Sequence, residues 1–322
     1  LTPRTTKQIR IAAALMLGAM ALTGALFARP ARAAHSRYSR GAGKAHKHLL
    51  VVTITMGFHH DSIPIAEETI RALGEQTGDW DTDFARTDQN ASTDEKAAVL
   101  KEKMSPEALK RYDAVVFANT TGTLPLPNPQ AFLDYIRAGH GFAAMHAGSD
   151  TFHQWPGQTS GVSAYVEMLG GEFLRHHQQC AVDGRLEDPH HPADAPLVKA
   201  TRTDAPPPTD AELQAGHSVV DSKAWHVFDE IYLFTNNDRK NVHVLISMDR
   251  HPNNGDPDAN QPGDYLLSWC KSYGKGRVFY TALGHRQEMW KDPLYQAHIL
   301  GGLRFALGLA RGSTKPGPMP AH

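Results

Sequence analysis

From residue 48 the chain alternates short apolar runs with longer amphipathic ones. Residues 48–55 (His-Leu-Leu-Val-Val-Thr-Ile-Thr) form a β-branched run with little polar alternation, the pattern of a strand buried on both faces. The run breaks into Met56-Gly57-Phe58-His59-His60-Asp61-Ser62. A helix is then expected over 63–76, with Asp61 or Ser62 as its cap and Pro64 in its first turn. Further strands are expected over 81–86, 113–119 and 141–146, and a helix over 130–138 closed by Gly139. This strand-then-helix rhythm predicts an α/β fold with a mostly parallel sheet and helices on both faces. Over 172–245 the rhythm weakens into short strands (178–186, 230–234, 242–247) and a Pro-rich loop at 204–210. Residues 264–272 and 277–283 flank Tyr273-Gly-Lys-Gly276 as a hairpin, and a helix follows over 293–309. The expectation is one domain over 48–310 with an elaborated second half, then a disordered tail over 311–322.

The first 34 residues follow a different logic. Arg4, Lys7 and Arg10 precede an apolar run over 11–27, which ends near Ala31-Arg32-Ala33, a small-residue cleavage pattern. The run is short for a spanning anchor, and Gly18 and Gly24 interrupt it, so a cleaved signal peptide over 1–34 is preferred to an uncleaved anchor. Export to the periplasm or beyond is the expectation, with no stable membrane span left and a disordered basic tail over 35–47.

Composition narrows the function. Of 322 residues, 41% are hydrophobic, enough for a core, and a formal net charge of −1 argues against a nucleic-acid binder. Two cysteines, Cys180 and Cys270, exclude a disulfide framework or a Cys-based zinc cluster. Export would permit their pairing, but Cys270 lies in an apolar strand-like run and reads better as a buried free thiol.

The 19 histidines carry the candidate chemistry. In an open α/β sheet, ligands bind beyond the carboxyl ends of the strands. His59, His60, Asn119, His146 and His285 all follow expected strands, so one edge collects polar and imidazole groups. His176-His177 and His190-His191 lie on irregular segments able to fold over that edge. Adjacent side chains diverge, so at most one of each pair faces a given site. Such a cluster suits either a divalent metal such as zinc or imidazole acid–base chemistry. Metal candidates are His146, His176 and His191. The break at His146-Ala-Gly148 has the form of a nucleophile elbow carrying imidazole instead of Ser or Cys. Among nearby aromatics, Trp155 is the best candidate to stack on a sugar, while Phe58 and Tyr232 read at least as well as core.

Taken together, Phe58-His-His-Asp-Ser-Ile-Pro64, Tyr112-Asp-Ala-Val-Val-Phe117, Gly141-Phe-Ala-Ala-Met-His-Ala-Gly148, Asp229-Glu-Ile-Tyr232 and Gly276-Arg-Val-Phe-Tyr-Thr-Ala-Leu-Gly-His285 resemble the ThuA-like (trehalose utilisation) family. The resemblance runs through residues 48–310. It implies a flavodoxin-like sheet of the class I glutamine amidotransferase-like kind and a sugar substrate, trehalose or a related disaccharide, keto-derivatives included. His146 stands where true amidotransferases carry cysteine, so glutamine hydrolysis is not implied. The family's site maps onto His60, Asp61, His146, Asp150, His176, His191, Glu230 and His285. The roles expected are catalytic for His146, His285, Glu230 and Asp61, and substrate-binding for His60, Asn119, Asp150 and Trp155. A non-catalytic sugar-binding or accessory protein is the alternative.

Overall fold

The computed structural model describes residues 46–203 and 206–318. The expected leader and most of the basic tail after it lie outside the described residues. In the first half, strands β1 (Lys47–Val52), β2 (Trp80–Ala85), β3 (Ala114–Ala118) and β4 (Gly141–Met145) alternate with helices Ile63–Thr77, Thr93–Met104 and Pro129–Arg137. Lys47, expected in the tail, opens β1. The second half supplies β5 (Glu172–Arg175), β6 (Cys180–Leu186), β7 (Val219–Val220), β8 (Trp225–Asp229), β9 (Leu233–Thr235), β10 (His243–Arg250), β11 (Pro262–Tyr273) and β12 (Gly276–Thr281). Helix Pro293–Ala306 closes the domain.

Ten strands form one sheet in the order β2-β1-β3-β4-β12-β11-β10-β6-β8-β7. The first five are parallel and the rest pair antiparallel, while β5 and β9 make a separate two-stranded ribbon. The parallel half is apolar on both faces because helices cover both. Leu49 to Val52 and Ala114 to Ala118 are all buried, as the unbroken apolar runs required.

Local sequence sets the element ends. Ser92 and Glu95 form a reciprocal capping box on helix Thr93–Met104, and Asn128 caps helix Pro129–Arg137 through Ala131 N. Asp292 starts the last helix through the amides of Leu294 and Tyr295. Where this helix crosses the sheet, a Cβ on Gly302 would fall 2.3 Å from the Phe279 ring, so only glycine permits the approach.

Two expectations change and one holds. Glu230 does not begin a strand but lies in the link between β8 and β9. Residues 311–318 are not a free tail: Val244 N donates to Gly317 O at 2.7 Å, and the His243 ring lies 2.7 Å from Lys315 O, laying this segment along β10. Both cysteines are free and buried, the favoured of the two readings. Among the described residues no helix is long and apolar enough to cross a membrane.

Candidate metal centre

Alternating strand directions place the carboxyl end of β8 on the same edge as those of β1, β3, β4 and β12. The antiparallel half curls back until Asp229, the last residue of β8, reaches the loop after β12. Its carboxylate accepts from the amides of Gly284 (2.7 Å), His285 (3.3 Å) and Arg286 (3.2 Å). Burial raises the Asp229 pKa, against the pull of His146 and of these amide bonds. This nest fixes the loop that carries His285.

Four side chains converge there. Ring nitrogens of His60, His146 and His285 and a carboxylate oxygen of Glu230 all lie within 4.8 Å of one another. The three imidazoles meet nearly at right angles, with ring centres 4.9 Å (His60–His146), 5.2 Å (His60–His285) and 5.2 Å (His146–His285) apart. Glu230 Oε2 is 3.5 Å from His146 Nε2 and 3.2 Å from His285 Nδ1, and Oε1 is 3.0 Å from His176 Nδ1.

The backbone at His146 is unusual. It leaves β4 at φ 46°, a left-handed conformation rarely held by a residue with a side chain, and enters a single 3-10 turn, His146–Asp150. The turn is tight because Gly148 passes Ala144 and Phe117, where a Cβ would fall 2.7 Å from the Ala144 side chain. His146 Nδ1 sits 2.8 Å from Ala282 O, so this nitrogen carries the proton and Nε2 offers its lone pair to the cluster. Tyr232 covers the ring at 4.1 Å.

Electrostatics keep His60 neutral and Glu230 ionised. Burial, then the neighbouring His146 and His285, pushes the His60 pKa down to about 2. Burial opposes ionisation of Glu230, yet hydrogen bonds from His146 and His285 hold its carboxyl far below the usual range. For His285 burial is outweighed by Glu230, and the pKa rises. His60 Nδ1, His146 Nε2 and His285 Nδ1 are buried without a conventional hydrogen-bond partner. Three imidazoles, each with a buried nitrogen free of a conventional hydrogen bond, beside an ionised carboxylate, fit a divalent cation of the zinc class, which takes nitrogen and carboxylate oxygen at about 2.0–2.2 Å.

The other expected residues stand apart from this centre. Asp61 is exposed at the start of helix Ile63–Thr77 and only its carbonyl is engaged, by Gln287. Asn119 is fully buried and its Nδ2 donates to Ser62 Oγ and Gly284 O, tying three chain segments, while its Oδ1 is left without a partner among the described residues. Trp155 is buried against Phe152, while His153, Gln154, Pro156 and Gly157 around it stay exposed. His191 lies elsewhere: the Asp188 carboxylate turns its backbone, and its Nε2 faces Cys270 Sγ at 3.6 Å under the 311–318 segment. His176 touches Glu230 from the solvent side and is not one of the four converging donors. Asp150 is on the rim, bonded to His153. Of the pair 59–60 only His60 enters the cluster, while His177 pairs with Asp256. Sequence reasoning missed Asp229 and His153, and the sole hint of the first was its place beside Glu230.

Residues 48–306 match the ThuA family, described as trehalose utilisation. The chain belongs to this family. Two solved ThuA-like proteins share its fold. One, from Bacteroides uniformis, is 20% identical over 84% of this chain and 95% of its own, with a TM-score of 0.53. The other, from Parabacteroides merdae, is 16% identical over 82% of this chain and 90% of its own, with a TM-score of 0.54. No curated protein matches the chain. Membership in ThuA spans every element that delivers a donor, from His60 after β1 to His285 after β12.

Proposed function

We propose that this ThuA-family chain is a metal-dependent enzyme acting on a small sugar, with trehalose or a related disaccharide as its substrate class. One observation carries the reading: a ring nitrogen from each of His60, His146 and His285 and a carboxylate oxygen of Glu230 lie within 4.8 Å of one another at the carboxyl edge of the sheet, and each ring has a buried nitrogen without a conventional hydrogen-bond partner. His60, His146, His285 and Glu230 would hold the ion. Once bound, a divalent cation would supply Lewis acidity toward a sugar oxygen or a water molecule.

The chain's own groups do the rest. Ala282 O fixes the His146 tautomer, and Tyr232 shields that ring from water. Glu230 stays ionised, and half-exposed His176 links its Oε1 to solvent. The family description is what supports a sugar as the substrate.

The test is metal analysis of untagged chain purified without chelator, beside His146→Ala and Glu230→Gln. About one divalent ion per wild-type chain is expected, with affinity at least tenfold weaker in each variant. Wild-type chain that holds no ion, even after incubation with zinc, manganese or nickel, would overturn the reading. Metal-loaded chain that returns trehalose and related disaccharides unchanged would make this a binding protein.

A further inference from the structure

Among the described residues only three large hydrophobic side chains are substantially exposed: Phe58, Leu174 and Val198. One of them, Phe58, stands close in sequence to a donor of the metal centre, two residues before His60. Phe58 is the most exposed, at 65%. A core reading of this aromatic is therefore excluded.

Its exposure is held in place by hydrogen bonds. Thr121, itself buried, grips the turn after β1: Met56 N donates to Thr121 O (2.8 Å), Gly57 N to Thr121 Oγ1 (3.1 Å), and Thr121 Oγ1 to Phe58 O (2.9 Å). The ring then meets His60 at 81°, with centres 4.8 Å apart, and most of its surface stays open. A loose surface residue would need neither the triple backbone anchor nor the contact with a metal-site imidazole. Its neighbours along the chain are polar: exposed Asp61 and partly exposed His59. A flat apolar face inside a hydrogen-bonding rim complements a pyranose, whose axial C–H groups form an apolar face edged by hydroxyls.

We infer that Phe58 is the stacking platform for a pyranose ring of the substrate, placing that ring beside His60 at the mouth of the metal centre. The inference rests on the sugar reading above. It assigns Phe58 a positioning role and gives no part in ion binding to the ring.

Binding of trehalose, maltose, cellobiose and sucrose to metal-loaded full chain, by titration calorimetry, tests it with Phe58→Ala, Phe58→Leu and Phe58→Tyr. The sugar bound by wild type should bind roughly five- to twentyfold more weakly to the Ala and Leu variants and within about twofold of wild type to Tyr. Metal content should be unchanged in all three. Ala binding as tightly as wild type would overturn the platform and leave the sugar reading standing. Leu matching wild type would overturn stacking in favour of simple apolar contact. Loss of metal in Phe58→Ala would make the ring a buttress of His60 and overturn the inference. If no sugar binds wild type, the sugar reading fails and the platform with it. A change in oligomeric state with unaltered sugar affinity would make Phe58 a protein contact and overturn the inference.

Discussion

His146 holds its imbalanced position for chemistry and not for stability. At φ 46° a Cβ crowds the backbone, and glycine alone is relaxed there. Replacement by either Ala or Gly removes the imidazole and leaves nearly the same space, so the pair isolates the backbone contribution. In most sequences alanine is the more stable of the two. Here His146→Gly is expected to be more stable than His146→Ala by about 1 kcal/mol, read from urea unfolding of the two variants without metal. The usual order would show that the left-handed backbone is not imposed. Single residues were legible in unequal measure. His146 and His285 could be found because they end strands, and the edge rule needs only strand positions. Glu230 was found through the family motif, since its local signal is merely a carboxylate near a strand. Asp229 was missed, since a carboxylate that serves backbone amides looks in sequence like any Asp. The burial of Trp155 in an otherwise exposed loop depends on the Phe152 ring it packs against, which no local pattern encodes.

At the level of elements, a charged brace joins the 3-10 turn of His146 to the small ribbon. His153 Nε2 is 2.6 Å from Asp150 Oδ1, which ends the turn, and Nδ1 is 2.8 Å from Glu172 Oε1, which opens β5. Hydrogen bonding to Asp150, then Glu172, outweighs burial and raises the His153 pKa to about 9. A histidine whose folded pKa lies above its unfolded value of about 6.5 adds stability in full below that value. The contribution disappears as pH rises through about 9. With the ring 42% exposed, solvent screening limits it to about 1 kcal/mol or less. The thermal midpoint of wild type should exceed that of His153→Gln below pH 6.5 and converge on it by about pH 10. A gap that does not vary with pH would show that the brace works by packing. The ribbon itself was legible only in part. The sequence marked 230–234 as strand, but the chain bends at Glu230 because that residue must leave β8 for the centre before β9 begins.

For the whole molecule, the parallel half was readable because β1, β3 and β4 are buried apolar runs at helix-length spacings. The order of the antiparallel half was not, since β6, β8, β10 and β11 find each other across long stretches of chain whose pairing leaves no local trace. That same separation has a thermodynamic result. His60, His146, Glu230 and His285 come from four distant segments, and only the closed sheet brings them within reach of one ion. The unfolded chain has no comparable site, so bound metal should stabilise by mass action, by about 2.7 kcal/mol at a concentration a hundredfold above Kd. Stripping the ion with a chelator should lower Tm by roughly 5–10 °C, and zinc should restore it. An unchanged midpoint would mean that the folded chain gains nothing from the ion. If the shift is found, the supply of one trace element would govern how long each copy survives: a starved chain opens more often, and proteases remove what opens.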